Sequence, residues 1–348
     1  MNKSYKILIL LGLLGLSLVV LFLSYEKYYK PDVIGEPVIT KSDKTITVSL
    51  QDEKKSYILE KDKEIPIISK FLQPFFIIRQ NKKISNLRIY FDDSREDILS
   101  SKFSNVVIER NQDLKIKFQY TLEPQKHKLV IKYDENNQEI IEEYNFLLIL
   151  FDDFSQPLSQ SRLWGLADSA KPYNNWEIKE GRLVAHPLPS DASPDAISSL
   201  FFVKRFQGDF FVQFDLIPKT NTIAFLPYLL QRRLNFVFGS NGNKDVIILD
   251  KPETRASFTF EALRIYNIRL IRSENIYKVF VTTNRDFSDN DLLITYEDKE
   301  QLKVSFDAFG FTIWQNSGGV EIDNFYTANE DVSKILNSYG QKEQEESN

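Results

Sequence analysis

GDFFVQFDLI, Gly208 to Ile217, places Phe210, Val212, Phe214 and Leu216 against Phe211, Gln213, Asp215 and Ile217. Successive side chains of a strand point to opposite faces, so this is a strand with one face apolar throughout and the other mixed. Such a strand belongs in a sheet backed by a second layer. On either side of it lie hairpin signals. NWEIKEGRLVAH turns at Lys179-Glu180-Gly181, and RIYNIRLIRSENIYKVFVT turns at Ser273-Glu274-Asn275. The reading for this half of the chain is a β-sandwich.

Towards the N-terminus the same period recurs. Leu114, Ile116, Phe118 and Tyr120 alternate with polar partners, as do Leu129, Ile131 and Tyr133, Ile46, Val48 and Leu50, and Leu87, Ile89 and Phe91. Turn clusters at Asp92-Asp93-Ser94 and Asp134-Glu135-Asn136-Asn137 separate about eight strands, the complement of a sandwich of about 100 residues. A boundary is placed near Leu150 to Phe154, where NFLLILF gives way to the loop chemistry of DDFSQPLSQSRLW.

Composition agrees with a folded, strand-rich chain. The 348 residues include 27 Phe and 16 Tyr against one Met, and aromatic side chains favour the pleated surface of a sheet. Cysteine is absent, which removes disulfides, thiolate zinc sites and cysteine nucleophiles. Two histidines, His127 and His186, leave little room for a histidine triad or a multi-histidine metal site. His127 reads as a surface residue at the start of a strand. A net charge of -5, with basic residues scattered among acids, gives no footprint for nucleic acid.

ILILLGLLGLSLVVLFL, Ile7 to Leu23, carries no charge and approaches the thickness of a hydrocarbon core. Lys3 and Lys6 before it also suit a secretory signal. The following SYEKYYK, however, has no small-x-small cleavage pattern, so an uncleaved anchor is the preferred reading. Lys27 and Lys30 balance the lysines before the span, and the N-terminus is assigned to the cytoplasm because the long β-rich body follows the span. The expected layout is a cytoplasmic segment at 1–6, a transmembrane anchor at 7–25 and a stalk at 26–37. A β-sandwich at 38–150, a second sandwich at 151–328 and a polar, solvated tail at 329–348 complete it.

Two resemblances sharpen this layout. LEPQKHKLVIKYDENNQEI, Leu122 to Ile140, resembles the penultimate hairpin of bacterial immunoglobulin-like surface domains, with Gln125 in place of the usual glycine. Phe151 to Thr327 resembles the concanavalin A-like jelly roll of legume lectins, laminin-G-like modules and laminarinase-like glucanases. That likeness is carried by DDFS and Trp164, Trp176 with EGRL, GDFFVQFDL, the IYNIRLIRSENIYKVFV hairpin and DAFGFTIWQNSGGVEIDNFYT. It implies an all-β fold with sugar binding on the concave sheet or its rim, and a structural calcium in some members.

Candidate residues follow from that chemistry. Sugar rings are held by flat aromatic faces beside planar polar groups, which Trp164, Tyr173, Asn175 and Trp176 supply, as do Arg232, Arg233 and Asn241 of the GSNGN loop. The competing reading buries both tryptophans in the core. Asp152, Asp153 and Asp323 suit a structural calcium, against the plainer reading that they start turns. The glucanases' Glu-x-Asp-x-x-Glu strand has one counterpart, Glu321-Ile322-Asp323-Asn324-Phe325-Tyr326, and Tyr326 stands where the proton-donating carboxylate is required. The leading functional reading is a membrane-anchored, extracytoplasmic glycan or surface-polymer binder. A structural or protein-interaction component of the envelope is the second, and a divergent glycoside hydrolase the third.

Overall fold

In the computed structural model, the residues described are 46–339 apart from 52–54, 71–74, 93, 95–112, 118–121, 162, 207, 230–233, 240–243, 249–250, 285 and 300–306. The expected anchor and stalk lie outside them. Among the described residues no helix is long and apolar enough to cross a membrane.

The described chain is all-β. Its first sandwich sets a four-stranded sheet against one wing of a larger sheet. The smaller sheet joins β1 (Ile46–Gln51), β2 (Ser56–Leu59), β4 (Phe75–Gln80) and β6 (Asp113–Lys117) in the order β2-β1-β4-β6. Opposite it lie β3 (Glu64–Ser69), β5 (Ser85–Phe91), β7 (Lys126–Glu135) and β8 (Gln138–Asp152). Alternate residues from both layers, including Val48, Ile78, Ile89, Ile131 and Phe146, fill one core. The β7–β8 turn has Asn136 and Asn137 at φ 53° and 65°, the left-handed pair that a two-residue hairpin loop needs. His127 is buried, not on the surface. Its ring lies between Phe91 and Phe146, with Nδ1 3.0 Å from Asp92 Oδ2 and Nε2 2.8 Å from the Glu123 carbonyl.

The boundary read at 150/151 falls inside one continuous strand. β8 pairs with β7 up to Leu147 and with β3 up to Leu150, and its last residues, Leu150 to Asp152, pair with β22 (Val320–Ala328) of the second sandwich. NFLLILF is apolar without alternation because both faces of β8 are covered. Phe146 and Leu148 enter the first core, Leu150 enters the second, and Leu147 and Ile149 face a third cluster on the opposite side.

The second sandwich packs two sheets. One is the other wing of the large sheet: β20 (Leu292–Glu297), β19 (Ile276–Thr282), β18 (Tyr266–Ser273), β13 (Phe210–Pro218) and β22, with the hairpin β10 (Trp176–Lys179) and β11 (Arg182–Ala185) added to β22. Against it stands a seven-stranded sheet. In order it runs β17 (Lys251–Ser257), β16 (Asp245–Ile248), β15 (Leu234–Gly239), β14 (Phe225–Leu229), β21 (Asp307–Trp314), β12 (Ile197–Phe206) and β9 (Trp164–Leu166). Phe214, Phe225, Phe311 and Phe325 meet between the sheets, mostly edge to face, the arrangement aromatic quadrupoles favour.

The tail expected to be solvated is docked through 339. A helix at 333–339 follows β22, and Val332 and Leu336 are buried with Leu147, Ile149, Phe211 and Ile271. Beneath it Arg269 bonds Gln213 and Asn337, stacks 4.0 Å from the Phe287 ring centroid, and has its pKa lowered to about 10 by burial.

Candidate functional site

Trp164 and Trp176, expected on a sugar-binding rim, are core residues with 4% and 3% of their surface exposed. Trp164 starts β9 and packs against Phe202, Phe311 and Phe325 at 5.0–5.3 Å between ring centroids. Its indole N–H donates to Asp152 Oδ2 at 2.9 Å. A buried indole needs an acceptor, and this one takes a carboxylate expected to hold calcium. Trp176 Nε1 donates to Ser198 Oγ at 2.9 Å, Ser198 donates to Asn175 Oδ1 at 2.6 Å, and Asn175 Nδ2 donates to the His186 carbonyl at 2.8 Å. Asn175 is therefore a buried pin between β10 and β12. Tyr173 is half-buried in the loop before β10. Arg232, Arg233 and Asn241 lie outside the described residues.

The three aspartates have separate partners. Asp152 also accepts from the Phe154 amide at 2.8 Å. Burial raises its pKa, against the lowering effect of the Phe154 and Trp164 hydrogen bonds. Asp153 pairs with Lys70, and Asp323 accepts from the Asn324 amide at 2.8 Å and lies 3.6 Å from Arg182 Nε. Among the described residues no group of three His, Cys, Asp or Glu side chains is placed to hold a metal ion.

Glu321 leaves the sheet on the side away from the core, since its neighbours Val320 and Ile322 are core residues. Arg182 Nη1 donates to Oε2 at 2.7 Å and Lys219 Nζ to Oε1 at 2.5 Å. Burial pushes its pKa up, but the hydrogen bonds and charges of Lys219 and Arg182 outweigh this and hold it below the usual glutamate range. Glu321 is thus held ionised between two cations, and the position of the motif that would supply the proton is Tyr326.

The seven-stranded sheet presents a different surface on its outer face. In β12, Leu200, Phe202 and Phe206 point into the core. By alternation Ile197, Ser199, Phe201 and Val203 face outward, and Ile197, Phe201 and Val203 are 40%, 38% and 41% exposed. The next strand, β21, sends Phe309, Phe311 and Ile313 inward, so Thr312 and Trp314 share this outer face. Trp314 lies opposite Ile197, Thr312 opposite Ser199, and Gly310 opposite Phe201. A Cβ on Gly165 would stand 2.3 Å from Phe201 Cζ, so the phenyl ring lies across the bare β9 backbone. Between the two aromatic ends the buried hydroxyls of Ser199 and Thr312 meet at 2.8 Å. The ends are four residues apart on β12, about 13 Å at about 3.3 Å per residue. Neither Phe201 nor Trp314 stood among the sequence candidates. The signal was the outward series 197, 199, 201, 203 in ISSLFFVKRF, three of whose four members are apolar without joining the core.

No protein-family model and no curated protein matches the chain. Solved structures do. Lectin II from Ulex europaeus is 10% identical with a TM-score of 0.40, covering 52% of this chain and 97% of its own. A carbohydrate binding module from Bacillus subtilis is 12% identical with a TM-score of 0.34, covering 49% and 98%. A glycosyl hydrolase assigned as such from Parabacteroides distasonis is 9% identical with a TM-score of 0.31, covering 48% and 89%. Likeness at this distance transfers no ligand or activity to the chain.

Proposed function

We propose that this protein binds a glycan or surface polymer across the outer face of its seven-stranded sheet, held at a membrane by the apolar segment at 7–25. One observation carries the reading: exposed Phe201 and half-buried Trp314 flank a hydroxyl pair on one outer sheet face. Aromatic faces cover the C–H surface of a sugar ring, and the buried Ser199–Thr312 hydroxyl pair ties together the two strands that carry them.

A protein-binding role is the second reading, favoured by the apolar Ile197 and Val203 on the same strand. The deciding experiment is a glycan array probed with the full-length protein in detergent, alongside Phe201→Ala and Trp314→Ala. Glycan signal lost in both variants, with unchanged melting, supports the proposal. An array without signal, together with a protein captured in a Phe201-dependent manner, supports the second reading.

A further inference from the structure

On the other sheet of the second sandwich, a cavity of about 350 Å³ opens between the β10–β11 hairpin and the backbone around Lys219 and Gly318. Lys179, Arg182, Lys219 and His186 line it together with Glu180 and Glu321. We infer that this cavity binds a small hydroxylated monocarboxylate of the size of a hexuronic acid, at a site separate from the Phe201–Trp314 face.

The donors outnumber the acceptors. Both carboxylate oxygens of Glu321 are occupied, by Arg182 and by Lys219, and this fixes the two cations at either side of one buried carboxylate. Each is about two-fifths exposed, so the N–H groups not used on Glu321 face solvent. Lys179, on the rim, makes no ion pair with any described residue and is exposed. A cavity so lined takes an acceptor, and a guanidinium held in place favours a planar carboxylate.

Charge balance selects the ligand further. Three cations face two carboxylates in the lining, a surplus of one. One added negative charge is tolerated there better than a phosphate dianion, which would crowd charge beside Glu180 and Glu321. Asp323, outside the lining and 3.6 Å from Arg182 Nε, offsets one of those cations, so the preference for an anion rests on the N–H groups of Lys179, Arg182 and Lys219 and not on net charge. The volume is near the lower end of the ligand-pocket range of roughly 300–1,000 Å³, which fits one sugar-sized ring. Pro187 and Val184 supply apolar wall, and His186 and Glu180 supply polar partners for ring hydroxyls.

The wall is closely packed at two glycines. Gly319 has φ 85°, and a Cβ there would stand 2.7 Å from the Ala185 carbonyl oxygen. The neighbouring Gly318 would drive a Cβ to 1.7 Å from Thr220 Oγ1. Neither position accepts a side chain without moving the lining.

Titration calorimetry on the full-length protein in detergent, with sodium glucuronate, glucose and inorganic phosphate as separate probes, tests the inference. Glucuronate binds, glucose binds at least tenfold more weakly, and phosphate binds more weakly than glucuronate. Arg182→Gln weakens glucuronate at least tenfold. Lys179→Gln, whose side chain holds no structural bond, weakens it about threefold and serves if Arg182→Gln fails to fold. Phe201→Ala leaves it unchanged, which keeps this result distinct from the fate of the sheet-face reading. Absence of glucuronate binding, equal binding of glucose or phosphate, or wild-type affinity in both charge variants overturns the inference.

Discussion

Trp164→Ala separates a core tryptophan from a ligand platform. The substitution empties a space bounded by Phe154, Phe202, Phe311 and Phe325 and removes the donor to Asp152 Oδ2. Truncating a buried Trp costs about 3–5 kcal/mol, and leaving a half-buried carboxylate without its donor adds about 1 kcal/mol. The expected loss is thus about 4–6 kcal/mol, a large part of the roughly 5–15 kcal/mol that holds a domain folded. At about 2–4 °C per kcal/mol for a domain of this size, the melting temperature falls by on the order of 10–20 °C. Trp164→Phe keeps most of the apolar volume and falls much less. Circular dichroism melts of both variants, with glycan binding measured well below the transition, give the answer. A Trp164→Ala protein that melts within about 2 °C of wild type yet no longer binds would refute the placement of this ring in the core.

Removing residues 331–348 strips Val332 and Leu336 from Phe211 and Ile271 and takes Asn337 from Arg269. At about 1.5–3 kcal/mol per buried aliphatic side chain, the truncated protein loses at least about 3 kcal/mol in urea unfolding, and an unchanged midpoint would contradict the docked helix. Gly319→Ala, at φ 85° and against the Ala185 carbonyl, destabilises by more than about 1 kcal/mol in the same assay. The Glu321 cluster sets an acid limb. Because the folded pKa lies below the ordinary 4.5, its stabilisation is complete above that value and is lost as pH falls through the folded pKa. With both cations two-fifths exposed the effect is below about 1 kcal/mol, and Glu321→Gln removes that limb from a plot of stability against pH.

The strands were legible because period two is a local signal. Phe210 to Leu216 alternate in β13 and Leu129 to Tyr133 in β7, as their burial requires. The turn at Asn136-Asn137 was legible for an equally local reason, the left-handed backbone both residues adopt. What failed depended on partners distant in sequence. NFLLILF looked like the end of a domain, but Leu147 and Ile149 are apolar because a helix nearly two hundred residues later lies over them. Trp164 and Trp176 sat beside loop signals, and only the packing of β9 and β10 shows that their rings turn inward onto Phe311 and Ser198. Asp152 and Asp153 are adjacent in the chain yet diverge, one to an indole and one to Lys70. Phe201 escaped notice because FF at 201–202 does not say which phenylalanine faces out. The cross-strand partner Gly310 and the bare Gly165 backbone settle it.

Glycan binding by the Phe201→Ala, Trp314→Ala double variant, measured against wild type on the full-length protein, tests the central claim most directly. The account predicts binding weaker by at least about thirtyfold with a melting temperature within about 3 °C of wild type, since the stacking contacts of exposed Phe201 and half-buried Trp314, at about 1–2 kcal/mol each, are lost without opening the core. Wild-type affinity in that variant would place the binding surface elsewhere.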